Sequence, residues 1–312
     1  MTEKRRLLFI TLSNIGDLVM TTPLLEALHL SYPDHLIDIV ADARSSDLLL
    51  PCPYRGRIIH KEKKEGVRGS AKLVMTLRER YYDIPIDLRS ALLTLFISCG
   101  QRGFKRRGTS GGQHAVQHHF TALGAISGLP VEIPPATLWL DDDAKERAAG
   151  LLADLPKGRR LVVAPGANWP GKVWPIEHYA ALLGALEHHF DSVIVVGSKD
   201  DYNLGLRLKA AARLPILNLA GTTGLLEVAA CMANASAFVG NDSGLGHMAA
   251  ALKIPTVTIF GPGQPERYRP WGTRATVVLA PKAELAALKA DVVAETLFAH
   301  LASHAEPVQK VE

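Results

Sequence analysis

The most informative stretch of the chain is Val239-Gly240-Asn241-Asp242-Ser243-Gly244-Leu245-Gly246-His247-Met248-Ala249-Ala250-Ala251. Small apolar residues up to Val239 favour a buried parallel strand, and the alanine-rich end favours a helix. The first N–H groups of a helix have no partner within it and carry the positive end of its dipole. This strand–turn–helix therefore predicts an anion site, and its two glycines would let a phosphate approach the backbone. Ordinary strand-to-helix turns use the same residue types, so this stretch alone leaves a purely structural role open.

On both sides of this stretch, apolar strand-like runs alternate with helical patterns, which predicts βαβ units and parallel sheets. A chain of 312 residues is long for one core, so two domains are expected. The proline-rich segment 129–135 is the clearest linker. The sequence thus predicts an α/β protein with two doubly wound, Rossmann-like domains, 1–155 and 156–312, that face each other across a cleft.

The composition is that of an ordinary globular protein, with 47% hydrophobic and 21% charged residues. No apolar run approaches the ~20 residues of a membrane span. The basic start leads into an apolar run that is too short for a secretory signal peptide. Cys52, Cys99 and Cys231 lack pairing or metal spacing and are expected to be inert, buried thiols. These features predict a cytoplasmic protein.

The net charge of +4 is uneven, because the basic excess lies in two segments before residue 110. A solvated surface explains such a pattern, and so does a face for an anionic partner such as a phosphorylated lipid or a membrane surface. Nucleic acid is the weaker alternative, since no aromatic residues are interleaved with the cations. The candidate residues of this face are Arg55, Arg57, Lys61, Lys63, Lys64, Arg102, Lys105, Arg106 and Arg107.

Two further loops follow predicted strands and carry candidate catalytic residues. Asp17 lies just after Gly16, where a helix would begin, so it is either a helix cap or a general base. Lys172 lies in a loop framed by glycine and proline, where it could stabilise a diphosphate leaving group or be a solvated surface lysine. Asn168 in the same loop could donate a hydrogen bond to a phosphate oxygen.

Four segments in this order, Ile15–Leu25, Lys172–Tyr179, Asn241–Ala250 and Pro255–Pro262, resemble glycosyltransferase family 9. These are the ADP-heptose:lipopolysaccharide heptosyltransferases, and the similarity covers almost the whole chain. The resemblance implies a GT-B fold and inverting transfer without a metal or other cofactor. It also implies that the C-terminal domain holds ADP-heptose and that the N-terminal domain binds the inner-core sugar of lipid A. The basic face would then meet this anionic acceptor at the inner membrane surface.

By position, Asp17 matches the proposed base of the family and Lys172 matches its phosphate-binding lysine. Where the family often has Gly-x-x-x-Glu for the adenosine ribose, this chain has Gly197 to Asp201, so Asp201 is the expected substitute. The donor- and phosphate-binding candidates are Gly16, Gly166, Asn168, Asp201, Asp242, Ser243, Gly244, Gly246 and His247.

Other functional classes remain open at this stage. The absence of a Gly-x-Gly-x-x-Gly after the first strand and of a Walker-type Gly-Lys-Ser/Thr argues against dinucleotide oxidoreductases and P-loop proteins. A nucleotide-sugar 2-epimerase-like isomerase would share two Rossmann-like halves, and a family 9 transferase could use another nucleotide sugar. A two-lobed solute-binding protein would need an export signal, which the first residues do not resemble.

Overall fold

The computed structural model describes residues 5–60, 66–89, 93–104, 113–124, 126, 128 and 132–304. The chain divides into two compact units. Unit 1 comprises Met1–Trp139 and Glu266–Tyr268, and unit 2 comprises Leu140–Pro265 and Arg269–Glu312.

The first unit is built on one parallel sheet. Its elements are β1 (Arg6–Ile10), α1 (Ile15–Val19), α2 (Thr22–Ser31), β2 (Leu36–Ala41), β3 (Arg55–His60), α3 (Gly66–Arg78), β4 (Ile84–Asp87), β5 (Gly103–Phe104) and α4 (Ala115–Phe120), with 3-10 turns at Ser46–Leu49, Leu93–Phe96 and Thr121–Leu123. The strand order is β3-β2-β1-β4-β5. Residues 7–10 of the central strand are fully buried, as expected for a parallel strand covered on both faces.

The remaining elements repeat this plan around a second parallel sheet, except the short helix whose residues Glu266–Tyr268 fall in unit 1. They are α5 (Asp142–Leu151), β6 (Arg160–Ala164), α6 (Ile176–Leu186), β7 (Ser192–Val195), α7 (Tyr202–Ala211), β8 (Ile216–Asn218), α8 (Leu225–Met232), β9 (Ala237–Asn241), α9 (Gly244–Ala251), β10 (Thr256–Phe260), α10 (Pro265–Tyr268), β11 (Ala275–Leu279) and α11 (Ala290–Ser303). The strand order is β11-β10-β9-β6-β7-β8. The predicted α/β class with doubly wound parallel sheets is confirmed.

Strands β6 and β9 are neighbours, with Leu161 opposite Ala237 and Ala164 opposite Gly240. Because both strands run in the same direction, their carboxyl ends lie at one edge of the sheet. The loops that follow them, 165–175 and 242–243, are therefore adjacent although they are far apart in sequence. This edge is where ligands bind in open parallel sheets.

The structure divides the chain earlier than the predicted boundary after residue 155. Helix α5 belongs to unit 2, where Ala144 and Ala148 are fully buried and Arg147 Nε donates to Glu227 Oε1 of α8 at 2.8 Å. Acids are favoured in the first turn of a helix by its dipole, so the run Asp141-Asp142-Asp143 predicts a helix start. Asp141 Oδ1 accepts the N–H of Ala144 at 2.8 Å and caps this helix.

Two helices that the sequence predicts are interrupted in the structure. The periodicity predicts one helix over 18–30, but α1 ends at Val19 and α2 restarts with Pro23 in its first turn, because proline lacks the N–H that a continuous helix needs. A long helix expected over 114–127 is instead α4 followed by a 3-10 turn. Among the described residues, no helix is long and apolar enough to cross a bilayer.

Candidate functional site

The turn between β9 and α9 has the geometry of an anion site. Ser243 is the N-cap of α9 with an extended backbone, φ −149° and ψ 170°, and the helix begins at Gly244. The first N–H groups of this helix point out of its N-terminus, where the helix dipole is positive. A serine at this position normally caps the helix with its own hydroxyl, but Ser243 makes no such bond. Its Oγ is buried and has no hydrogen-bond partner among the described residues.

Asn241, at the end of β9, connects this turn to the loop 165–175. Its side chain is fully buried. Its Oδ1 accepts from Trp174 N at 3.1 Å and from Tyr179 Oη at 3.0 Å, and its Nδ2 donates to Pro165 O at 2.7 Å. Burial raises the pKa of Tyr179 well above its ordinary value, so its hydroxyl remains a donor. One amide thus anchors both ends of the lysine-bearing loop.

The anchored loop brings Lys172 to the N-terminus of α9. Its Nζ lies 2.5 Å from Asp242 Oδ2, and the two side chains are 33% and 12% exposed. Two predicted site residues are therefore in direct contact. A partly exposed ammonium group beside N–H groups that have no partner within the helix is suited to a phosphorylated ligand.

Asp201 and Gly166 also lie together. A Cβ on Gly166 would overlap the Asp201 carboxylate, so the glycine leaves the space that this side chain occupies. Asp201 Oδ2 accepts from the backbone N and the Oγ of Ser198, both at 2.7 Å. The carboxylate is thus held at the carboxyl end of β7, beside the start of the lysine-bearing loop.

The other candidates of unit 2 differ in exposure. Asn168 is exposed in the loop, and Gly244 is half-buried at the start of α9. His247 is buried within α9, with 6% of its surface exposed. Gly246 is buried, and a Cβ there would lie 3.1 Å from Thr258 Oγ1, so this glycine permits close packing of α9 on β10. That Gly246 also lets a phosphate approach the backbone stays a prediction.

Asp17 lies in unit 1, in the short helix α1 that follows β1. Gly16 is buried and Asp17 is half-buried. Asn14 Nδ2 donates to Asp17 Oδ2 at 2.9 Å, which orients the carboxylate. The helix cap is Asn14, which precedes Asp17, so Asp17 is not the cap residue.

Arg89 is a residue that sequence reasoning missed. Its guanidinium donates to the Ser13 hydroxyl, and its backbone N donates to Asp87 Oδ1 at 2.8 Å. Ser45 Oγ donates to Ser13 O at 3.4 Å, so three loops after β1, β2 and β4 meet near the Asp17 loop. The available signal was a charged Asp-Leu-Arg directly after a buried strand.

The predicted basic face is only partly described, and its described members bind within the fold. Arg55 Nε donates to Leu50 O at 2.5 Å, and Arg57 Nε donates to Asp38 Oδ2 at 3.3 Å. Arg102 donates to Thr94 O and Ile97 O, both at 3.0 Å. These three guanidinium groups have structural partners, which sequence reasoning did not foresee. The residues of this face outside the described part are Lys61, Lys63, Lys64, Lys105, Arg106 and Arg107.

Comparisons with known proteins agree on one family. Residues 70–297 match the model of glycosyltransferase family 9 (heptosyltransferase). Lipopolysaccharide heptosyltransferase 2 of Salmonella typhimurium is 30% identical over 304 residues, which cover 88% of this chain and 87% of that protein. The solved structure of Escherichia coli ADP-heptose LPS heptosyltransferase II is similar with a TM-score of 0.80 and 28% identity, over 96% of this chain and 99% of that one. A family 9 glycosyltransferase structure from Veillonella parvula shares the fold, with a TM-score of 0.85 and 19% identity over 97% and 99% of the two chains.

Proposed function

Because the chain belongs to glycosyltransferase family 9, the heptosyltransferases, we propose that it transfers heptose from ADP-heptose to an inner-core sugar of lipopolysaccharide. Its two parallel α/β units are those of the GT-B fold. The observation that carries the donor assignment is the pair Lys172–Asp242 at the N-terminus of α9, at 2.5 Å. There a cation, a chain of helix N–H groups and a serine hydroxyl with no hydrogen-bond partner in the described part of the chain lie at one edge of a parallel sheet.

Unit 2 would bind the diphosphate of the donor at this edge. Lys172 and the first N–H groups of α9 would stabilise the negative charge that grows on the departing ADP. Ser243 Oγ, for which the described ranges offer no partner, would donate to a phosphate oxygen. Asp201, held beside Gly166 by its two bonds from Ser198, would accept from the adenosine ribose.

Unit 1 would bind the acceptor and supply the general base. Asp17 would take the proton from the acceptor hydroxyl, whose oxygen attacks the anomeric carbon of the heptose. The bond from this carbon to the diphosphate breaks at the same time, its electron pair leaves with ADP, and the anomeric configuration inverts. The Asn14 amide, which donates to Asp17 Oδ2, would keep the carboxylate aimed. Arg89 would face an anionic acceptor from the neighbouring loop.

Lysine and helix dipole can supply the stabilisation of the leaving group that other transferases obtain from a divalent cation, so we include independence from metal in the proposal. The proposed partners are a nucleotide-sugar donor and an anionic lipid A-core acceptor at the inner membrane surface. The proposed location is the cytoplasm, with peripheral association with that membrane.

Calorimetry with ADP and with ADP-, UDP- and GDP-sugars tests the donor assignment, and a product assay with a lipid A-core acceptor tests the transfer. ADP and ADP-heptose should bind, the other nucleotides should bind far more weakly, and transfer should persist in EDTA. Conversion of the donor to an isomer without acceptor would instead identify an epimerase. Preference for UDP- or GDP-sugars would overturn the choice of donor.

A further inference from the structure

We propose that unit 1 carries a docking surface for an anionic phospholipid bilayer, formed by the outer face of α3 and the neighbouring 3-10 turn Leu93–Phe96. We call it the lipid face and define it by Val67, Arg68, Met75, Arg78, Leu95 and Phe96. It differs from the basic face that the sequence predicts, whose described arginines have partners within the fold.

Helix α3 is amphipathic, and its solvent side carries two apolar side chains among its cations. Leu73 and Leu77 are buried, with 4% and 0% of their surface exposed. On the opposite side, Val67 is 86% and Met75 71% exposed. These two residues are spaced at i and i+8, which places them on one side of a helix. The helix therefore buries one apolar side and presents these two apolar side chains to solvent.

The 3-10 turn extends this surface. Leu93 and Ile97 are buried in the same hydrophobic cluster as Leu73 and Leu77, so the turn and α3 lie side by side over the sheet. Leu95 and Phe96, which lie between the buried Leu93 and Ile97, are each 61% exposed. Their exposure is not a sign of a loose segment, because the Arg102 guanidinium donates to one carbonyl of the turn and to the carbonyl of the residue that follows it. A fixed turn with two outward hydrophobic side chains is suited to insertion into a lipid interface.

The charged residues around these apolar side chains indicate which kind of partner binds the lipid face. Helix α3 contains Arg68, Lys72 and Arg78 and no Asp or Glu. All three cations lie at exposed positions. Apolar residues that enter the interface, flanked by cations that meet lipid headgroups, are the pattern of a peripheral membrane helix. A second copy of this chain would bring like charges together, so self-association through this face is disfavoured.

The partner in this inference is phospholipid and not the sugar acceptor, so the inference stands or falls separately from heptose transfer. The test is flotation of the purified full chain with phosphatidylcholine vesicles, with and without phosphatidylglycerol, and without lipopolysaccharide. We expect binding to the anionic vesicles that weakens as salt rises.

Two double variants separate the apolar and the charged contributions. Leu95→Ser with Phe96→Ser should lower the partition coefficient about tenfold or more, because two side chains no longer enter the interface. Arg68→Gln with Arg78→Gln should lower the partition coefficient on anionic vesicles about 25-fold, because each lost charge lowers it about fivefold. Binding to neutral vesicles should stay unchanged. The matched control is Leu206→Ser with Val292→Ser, which removes two side chains of unit 2 that are 45% and 43% exposed, and should bind as the wild type does.

A third variant reports insertion directly. The tryptophan fluorescence that Phe96→Trp adds over the wild type should be quenched by brominated lipids in anionic vesicles. Circular dichroism and ADP affinity should match the wild type in every variant, which separates a lipid defect from a folding or donor-binding defect. Flotation of the lipid-face variants at wild-type levels, an equal loss in the control, or an unquenched Trp would overturn the proposal. Concentration-dependent dimers that disappear in the Leu95→Ser, Phe96→Ser variant would instead assign the face to a second copy.

Discussion

Lys172 and Asp242 are 70 residues apart in sequence, and their side chains meet with Nζ 2.5 Å from Oδ2. The lysine is 33% exposed and the aspartate 12% exposed, so the pair is partly buried and its ammonium group can still be reached from solvent. The contact holds a cation at the N-terminus of α9, where the helix dipole is also positive.

The first prediction concerns this pair. Lys172→Ala should lower kcat/KM for transfer by about 10²-fold or more and weaken ADP binding, since a cation on the leaving diphosphate is lost. Asp242→Asn should have a smaller effect, because the ammonium group stays but is no longer held by a carboxylate. Steady-state kinetics and calorimetry measure both effects. Lys209→Ala, an exposed lysine of α7, is the control, and a Lys172→Ala enzyme as active as this control would contradict the assignment.

Asp17 should be needed for turnover and not for donor binding. Asp17→Ala should lower kcat by about 10²–10⁴-fold, the range that general bases contribute, while the Kd for ADP stays unchanged. Asp17→Asn should be as inactive as the alanine variant, since an amide keeps the shape but cannot take the proton. Equal losses of transfer and of ADP affinity in both variants would indicate damage to the fold and would argue against a base.

The buried amide of Asn241 should be important for stability. Asn241→Leu leaves Trp174 N and Pro165 O without their partner, while Tyr179 Oη keeps its 3.3 Å bond to Ala164 O. The loss should cost about 2–4 kcal/mol of unfolding free energy. Denaturant unfolding measures this loss of unfolding free energy. Asn234→Ala is the control, because this exposed amide makes one bond to Ala230 O and should change the stability by under about 0.5 kcal/mol. Similar losses in the two variants would refute the anchoring role.

A pair of glycine substitutions separates site geometry from helix propensity. Gly166→Ala places a Cβ on the Asp201 carboxylate and should weaken ADP binding about tenfold or more, while the fold is retained. Gly184→Ala, at an exposed position in the last turn of α6 with nothing within 4 Å of its Cβ, should instead stabilise the protein by ~0.5–1 kcal/mol. Calorimetry and thermal unfolding distinguish the two results. Unchanged ADP affinity in Gly166→Ala would remove Asp201 from the donor site.

The thiols should react in a defined order. Burial raises the pKa of both Cys52 and Cys231 to about 11, so at pH 8 both remain protonated and unreactive. Cys99 is half-buried, although the sequence predicts three buried thiols, and burial raises its pKa too. A disulfide reagent at pH 8 should therefore modify Cys99 first, and the other two only as pH approaches their pKa or the protein unfolds. Rapid labelling of a Cys99→Ser variant would contradict this order.

The fold class and the loops that carry the site could be predicted from local sequence patterns. Hydrophobic periodicity specifies strands and helices locally, and the alternation of the two specifies parallel sheets. The turn after β9, the lysine-bearing loop and the Asp17 loop each follow a buried strand, and this could be read without coordinates. Proline and glycine signals are local too, which is why the Asp141 cap was predictable.

The tertiary structure alone decided which of these residues meet. The contact of Lys172 with Asp242 and the bonds of Asn241 depend on the register of β6 against β9, which no local pattern encodes. The same holds for Arg57, whose guanidinium meets Asp38 across neighbouring strands, although in sequence it looks like any surface cation. Burial and pairing are properties of packing between distant segments. A sequence therefore shows which chemical groups are available, and only the packed sheet shows which of them already have partners.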